Sequence, residues 1–260
     1  MHIADLTTYL DEFLAHNQRD DSSKNGLQVA RRAPEIEHIG IAVDVTTYLV
    51  DRAIAAGVDM LLVHHGLYWG YDTPLTGSMY ERVKRLLDHD IAVYASHLPL
   101  DGHPSVGNNI ALINARAKVG ATPSWSPERF GVYKNQYVGY GIQFAQPLTT
   151  DMIARYCAEL GLVPELYLQS ETPILSCAVV SGGWTDVITQ AADQWYDLLV
   201  TWEAAHHSLT HAKELGLNIL LWWHYQTETL GIKLLAEHLL ATHHLPYSML
   251  DEVYHPHRWE

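Results

Sequence analysis

HIGIAVDVTTYLVDRAIAAGVDMLLVHHG, residues 38–66, reads as one complete strand–helix–strand unit. HIGIAVDVT (38–46) is a short, continuously apolar run rich in β-branched residues, the pattern of a strand buried on both faces. TYLVDRAIAAG (47–57) follows as a helix closed by Gly57, and VDMLLVHH (58–65) as a second strand. Links this short between strands imply right-handed crossovers and a largely parallel sheet. The rhythm extends in both directions. Ile3, Leu6, Leu10, Phe13 and Leu14 share one face of a helix over 3–16, SMYERVKRLLDHD (78–90) is a further helix, and IAVYASH (91–97) a third strand.

The middle of the chain breaks the pattern. Residues 124–147 are rich in Gly, Pro and Tyr, and YVGYGIQF alternates as one strand of an antiparallel pair. The β–α–β rhythm then resumes. Helix 149–161, strand 174–183, helix 186–195, strand 196–203, helix 206–216, strand 217–223, helix 227–243 and end strand 246–254 follow in order. The fold class expected is α/β: two interlinked lobes of similar topology with mixed, mostly parallel sheets, a layered α/β sandwich. The first lobe is expected over 1–123 plus 230–260 and the second over 124–229, with a site at their junction.

Composition limits the function. A chain of 260 residues, 48% hydrophobic and 18% charged, is globular rather than disordered. Its net charge of −14 repels a phosphate backbone, which argues against sequence-independent nucleic-acid binding. Cys157 and Cys177, set in ARYCAEL and ILSCAVV, read as buried thiols and not as a disulfide framework. The acidic start MHIADLTTYLDEFL lacks the basic and apolar regions of a signal peptide, and no apolar run approaches the roughly 18 residues of a membrane helix. A cytoplasmic protein without membrane contact is expected.

Seventeen histidines point towards metal chemistry. Four polar clusters stand where an apolar strand stops: VHHG (His64, His65), SHLPLDGHP (His97, Asp101, His103), TWE (Glu203) and WWHYQTE (His224, Glu228). In open α/β sheets, ligands bind beyond the carboxyl ends of strands, so these clusters can converge. Histidines and carboxylates without thiolates suit an exchangeable zinc, manganese, iron or nickel ion better than a structural zinc site. Each cluster also has a plainer reading. Asp101-Gly is a common turn dipeptide, His224 and Glu228 can be an i, i+4 pair at a helix start, and Glu203 can be a solvated strand end. The same topological position recurring four times weighs against the plain readings. No GxGxxG, GxxxxGK[ST] or GxSxG pattern occurs, and the SGG at 181–183 reads as a structural turn.

KNGLQV (24–29), VDMLLVHHGLYWG (58–70), SHLPLDGHPSVGNN (96–109) and WHYQTETLGI (223–232) resemble the NGG-interacting factor 3-like family in its short bacterial form. Its members are often labelled GTP cyclohydrolase 1 type 2 homologues or dinuclear metal centre hexameric proteins. The resemblance runs from the first helix to the last strand. It implies a ring-shaped homohexamer, a trimer of dimers, and two divalent metal ions per subunit. Position by position it places the metal ligands at His64, His65, Asp101, His224 and Glu228, with His97 nearby. Two positions depart from the family: Trp202-Glu203 stands where Gly-Glu is usual, and Trp223-His224 where Gly-His is usual.

The expectation is a metal-dependent hydrolase of a nucleotide or related phosphorylated or heterocyclic small molecule. Asp101 or Glu228 would bridge the metals, and Glu203 or His97 would carry the proton. The alternative is a metal-loaded ring without turnover, acting as a scaffold, metal store or chaperone, or interaction partner. The paired tryptophans favour it, since a filled pocket costs an enzyme more than a scaffold.

Overall fold

A computed structural model describes residues 1–71, 73–115, 120–124, 126–161, 164–181, 186–222 and 224–250. The chain forms two compact units, Met1–Pro99 with Leu235–Glu260, and Leu100–Leu234. Trp223, the glycines of the SGG turn at 182–183 and the end of the strand expected over 246–254 lie outside the described residues.

The first unit is built on the opening stretch. Strand β2 (Ile39–Ala42), helix α2 (Thr47–Ala56) and strand β3 (Met60–Val63) form the expected β–α–β unit. Thr46 caps α2 by accepting from the Leu49 N–H at 3.2 Å, and Gly57 ends it in the left-handed conformation, φ 63°. Helix α3 (Gly77–Asp88) leads to β4 (Ala92–Ala95), parallel to β3 as β3 is to β2. Strand β11 (Tyr247–Met249) adds parallel to β2 at one edge. At the other edge β1 (Gly26–Val29), which the sequence pattern does not announce, lies antiparallel to β4. Every residue of β3 is buried, Leu61 and Val63 within the apolar cluster built with α2 and α3. That explains why MLLV is apolar without alternation. Helix α1 (Ile3–Phe13) buries Leu6 and Leu10.

The second unit repeats the arrangement. Strand β8 (Ile174–Val179), helix α7 (Asp186–Asp193), β9 (Leu198–Thr201), α8 (His206–Glu214) and β10 (Asn218–Leu221) give three parallel strands. An antiparallel β7 (Glu165–Tyr167) edges β10 as β1 edges β4. On the far side, the hairpin β5 (Glu128–Tyr133) and β6 (Gln136–Leu148) adds antiparallel strands. It turns on Lys134-Asn135, both at positive φ, the geometry whose twist matches paired strands. Helices α4 (Leu98–Asp101), α5 (Asn108–Ala115), α6 (Thr150–Glu159) and α9 (His224–His243) complete the fold. The α/β class with two mixed sheets is thus observed; the first sheet is mostly parallel, whereas in the second the parallel strands β8, β9 and β10 are flanked by antiparallel β5, β6 and β7. Cys157 and Cys177 are buried thiols; burial raises both, and Cys157 Sγ accepts from Trp222 Nε1 at 3.2 Å.

The repeat extends to side chains. Asp59 before β3 accepts from the Glu37 and His38 N–H groups at 2.8 and 2.9 Å, clamping the start of β2. Asp197 before β9 does the same for β8 through the Leu175 and Ser176 N–H groups at 2.9 and 2.8 Å. Partial burial opposes ionisation of Asp59, but those N–H groups and Arg31 win and hold its carboxyl below the ordinary carboxylate range. Because the folded value is depressed, its stabilisation is complete above about pH 4 and disappears as pH falls through the folded value. Asp59→Asn should therefore flatten the acid limb of a thermal-stability profile below pH 4. An unchanged limb would show that the clamp carries no pH dependence.

Trp195 is 88% exposed and holds φ 61°, a conformation that costs a bulky L residue roughly 1–2 kcal/mol. Trp195→Gly should raise the melting temperature by a degree or two, glycine's own entropy cancelling part of the gain. A fall instead would show that the indole makes contacts that outweigh the backbone strain.

Candidate metal centre

In the first unit β3 ends at Val63 and the chain delivers His64 and His65; β4 ends at Ala95 and delivers Ser96 and His97. The strands are parallel neighbours in register, Val63 opposite Ala95, so both tips lie at one end of the sheet. The rings converge, with centroids 4.7 Å apart for His64–His65, 5.2 Å for His64–His97 and 5.5 Å for His65–His97. One ligand nitrogen from each lies within 4.8 Å of the other two.

Each ring is held through Nδ1 by an oxygen that can only accept. His64 Nδ1 donates to the Ser96 carbonyl at 2.9 Å, His65 Nδ1 to Asp44 Oδ1 at 2.9 Å, and His97 Nδ1 to Asp21 Oδ1 at 2.9 Å. With the proton fixed on Nδ1, Nε2 becomes the lone-pair nitrogen, as metal-binding imidazoles require. His64 is fully buried and the other two partly so, while Trp69 packs edge-on against His97 at 5.2 Å.

The KNGLQV segment supplies the supports. Asn25 accepts from the His97 backbone N–H at 2.7 Å and donates to Asp21 at 3.0 Å. Burial opposes ionisation of Asp21, yet bonds from His97, Asn25 and the Ser23 N–H hold it well below the usual carboxylate range. Gln28 Oε1 accepts from the Leu67 N–H at 2.6 Å and pins the turn after His65. A Cβ at Gly66 would meet the Gln28 side-chain amide, so a larger residue there would displace Gln28 from the Leu67 N–H. Sequence reasoning found the motif but not its partners Asp21, Asp44 and Ser96, which lie outside it or act through backbone.

In the second unit Asp101, 2% exposed, closes the short helix α4. Asn108 Nδ2 donates to Asp101 Oδ1 at 2.9 Å, and Asn108 Oδ1 accepts from the Gly231 N–H of α9 at 2.6 Å. One amide thus ties the Asp101 carboxylate to the helix that carries His224 and Glu228. Asn109 links the Asp101 carbonyl, Val138 and Ser181 at 2.7–3.2 Å. These bonds account for the GNN block. His103 has a local role: its Nδ1 accepts from the Ser105 and Val106 N–H groups at 3.3 and 3.2 Å.

Helix α9 begins at His224, three residues before the expected start, so His224 and Glu228 share one helical face. His224 Nε2 lies 2.9 Å from Glu228 Oε1, and His224 Nδ1 3.4 Å from Glu203 Oε1. Glu228 is 1% exposed. A cleft of about 360 Å³ opens here, lined by Glu165, Trp202, Glu203, Ala204 and His224 with Leu221 and Trp222. Trp202 is 4% exposed and packs 5.0 Å from the His224 ring. It forms wall and leaves the cleft open.

The imidazoles of the first unit, and the His224–Glu228 pair of the second, are donors of the kind that suits a borderline divalent cation. A protein from Pyrococcus abyssi named GTP cyclohydrolase 1 type 2 homolog is 37% identical over 241 residues, covering 91% of this chain and 92% of that protein. The crystal structure of TTHA1606 from Thermus thermophilus matches with a TM-score of 0.84 at 35% identity, covering 97% of this chain and 98% of the other. HcgD from Methanocaldococcus jannaschii matches with a TM-score of 0.83 at 26% identity over 97% and 98% of the two chains. The family model described as Duf34/NIF3 (NGG1p interacting factor 3) spans residues 1–252, and with histidines at both strand tips and the His224–Glu228 pair on α9, this chain belongs to that family.

Proposed function

We propose that the protein is a metal-dependent hydrolase that holds two divalent ions through His64, His65, Asp101, His224 and Glu228. The observation that carries the reading is the imidazole cluster in which His64 and His65, the proposed ligands, and His97 beside them each commit Nδ1 to an oxygen acceptor, with ring nitrogens within 4.8 Å of one another. Zinc, iron, manganese and nickel all suit these donors. Divalent ions bound there acidify water and draw electron density from a phosphoryl or carbonyl oxygen.

The chain's own residues would do the rest. Ser96, Asp44 and Asp21 hold the three rings in one tautomer, so ligand geometry is set before any ion arrives. Asn108 holds Asp101 through Oδ1. Glu203, 65% exposed at the cleft, would take a proton and pass it to solvent, and His97 is the second candidate for that role. The substrate class is a nucleotide or a related phosphorylated or heterocyclic small molecule, in keeping with the name carried by the P. abyssi relative. Cation charge would offset the repulsion between an anionic substrate and a chain of net charge −14. A homohexamer in the cytoplasm completes the proposal; among the described residues no helix is long and apolar enough to cross a membrane.

The test is elemental analysis of the purified protein together with hydrolysis of a nucleotide and phosphoester panel, by wild type and Glu228→Gln. Bound metal with turnover that Glu228→Gln removes is the expected result. No metal in the wild type sinks the reading. Metal without turnover on any substrate moves it to a scaffold or metal store. Activity that appears only in Trp202→Gly would show that this indole narrows a competent site.

A further inference from the structure

A second hydrogen-bonded set lies behind His64 in the first unit, joining Asp11 and His16, which belong to none of the polar clusters at the strand ends, to Ser96 at the head of SHLPLDGHP. His16 Nδ1 sits 3.1 Å from Asp11 Oδ1, and His16 Nε2 sits 3.0 Å from Ser96 Oγ. Tyr94 donates its hydroxyl to Asp11 Oδ1 at 2.7 Å. The Asp–His–Ser order is that of a hydrolytic triad, but Ser96 is fully buried, so no substrate carbonyl reaches its hydroxyl. The same serine accepts His64 Nδ1–H through its backbone carbonyl at 2.9 Å.

The protons have one consistent arrangement. Asp11 accepts, so Nδ1 of His16 carries hydrogen and Nε2 takes the Ser96 hydroxyl proton as acceptor. Burial lowers the His16 pKa against the pull of Asp11, which keeps the ring in the neutral form this arrangement needs. The backbone is bent to make the contact. Ala15, which precedes the short 3-10 turn His16–Gln18, holds φ 52° and ψ 46°, a left-handed conformation for a residue with a Cβ. Strain of this kind persists where the surroundings over-determine it, and here it brings His16 to the tip of β4.

We propose that Asp11 and His16 are positioning residues which, through Ser96, fix the orientation and tautomer of His64. They lock the serine from its hydroxyl side so that its carbonyl stays aimed at His64 Nδ1. The set links a half-exposed carboxylate on α1 to a fully buried imidazole. This inference rests on His64 being a metal ligand.

The test titrates the metal-stripped full chain with cobalt(II), reading Kd by chelator competition and the d–d absorption bands, with circular dichroism as the check of folding. His16→Leu removes the acceptor at Ser96 and should weaken cobalt binding about 10–100-fold while shifting the d–d bands. His16→Gln can place an amide oxygen where Nε2 was and should recover most of both signals. Asp11→Ala serves if His16→Leu does not fold. Position 11 is half exposed, and alanine removes the acceptor that holds the His16 proton on Nδ1, which should shift the same bands. Wild-type Kd and spectrum in His16→Leu, or in Asp11→Ala where His16→Leu does not fold, would overturn the inference. Wild type that binds no cobalt would overturn the metal reading, and this inference with it.

Discussion

His64→Ala is expected to abolish metal binding while leaving a folded chain. His64 is fully buried and its Nδ1–H is committed to Ser96, so its ring has one orientation available. Loss of a partner that merely supports a ligand costs metal proteins roughly 10–100-fold in affinity, and loss of the ligand itself should exceed that. Elemental analysis after gel filtration should fall from the wild-type value to background. The fold is weakened separately. The Ser96 carbonyl loses its donor and a small void opens, together costing roughly 1–3 kcal/mol. Wild-type metal content in His64→Ala would show that the three-imidazole cluster is core packing, and the hydrolase reading would fall with it.

Gly107→Ala carries the second large effect, and it acts through backbone. A Cβ at position 107 would stand 2.5 Å from the His103 carbonyl oxygen and 2.7 Å from those of Leu100 and Asp101. A clash with a flexible side chain is relieved by rotation, but three main-chain oxygens move only if the segment moves. Overpacking of this kind costs roughly 1–3 kcal/mol and occasionally more. At this chain length each kcal/mol shifts the melting temperature by roughly 2–4 °C, so a fall of about 5–10 °C is expected. The shift of residues 100–103 also carries Asp101 away from Asn108, so metal affinity should fall with stability. Gly57→Ala is the contrast. Its φ of 63° makes alanine costly by roughly 1 kcal/mol, but nothing lies within 4 Å and no site residue is near, so metal content should not change. Equal melting temperatures for Gly107→Ala and wild type would show that the Asp101 segment repacks without cost.

Much of this arrangement was legible in the residues, for reasons that can be named. Continuous apolar runs such as MLLV and LLVT mark strands buried on both faces, and Gly57 and Gly161 mark helix ends that need positive φ. Those signals are local, and α/β topology follows from them with few alternatives. Strand β1 and helix α5 were not legible. GLQV is short and half exposed, while NNIALINA is an eight-residue helix that carries two buried asparagines and shows little amphipathic contrast. Tertiary hydrogen bonds settle those asparagines, and intrinsic propensity does not predict them.

The site divides along the same line. Residue type and position at strand ends single out His64, His65, His97, Asp101, Glu203, His224 and Glu228, because chemistry that binds metals requires those side chains wherever the chain turns. The sequence by itself determined which atoms could be ligands. Only the tertiary structure decided which nitrogen of His64, His65 and His97 carries its proton, because the deciding acceptors lie 32 positions away at Ser96, 21 at Asp44 and 76 at Asp21. It alone also turned Trp202 into the wall of an open cleft, and drew Asp11 and His16 in behind Ser96. A tautomer is set by a hydrogen-bond partner, and a partner that distant is supplied by folding and by no local pattern.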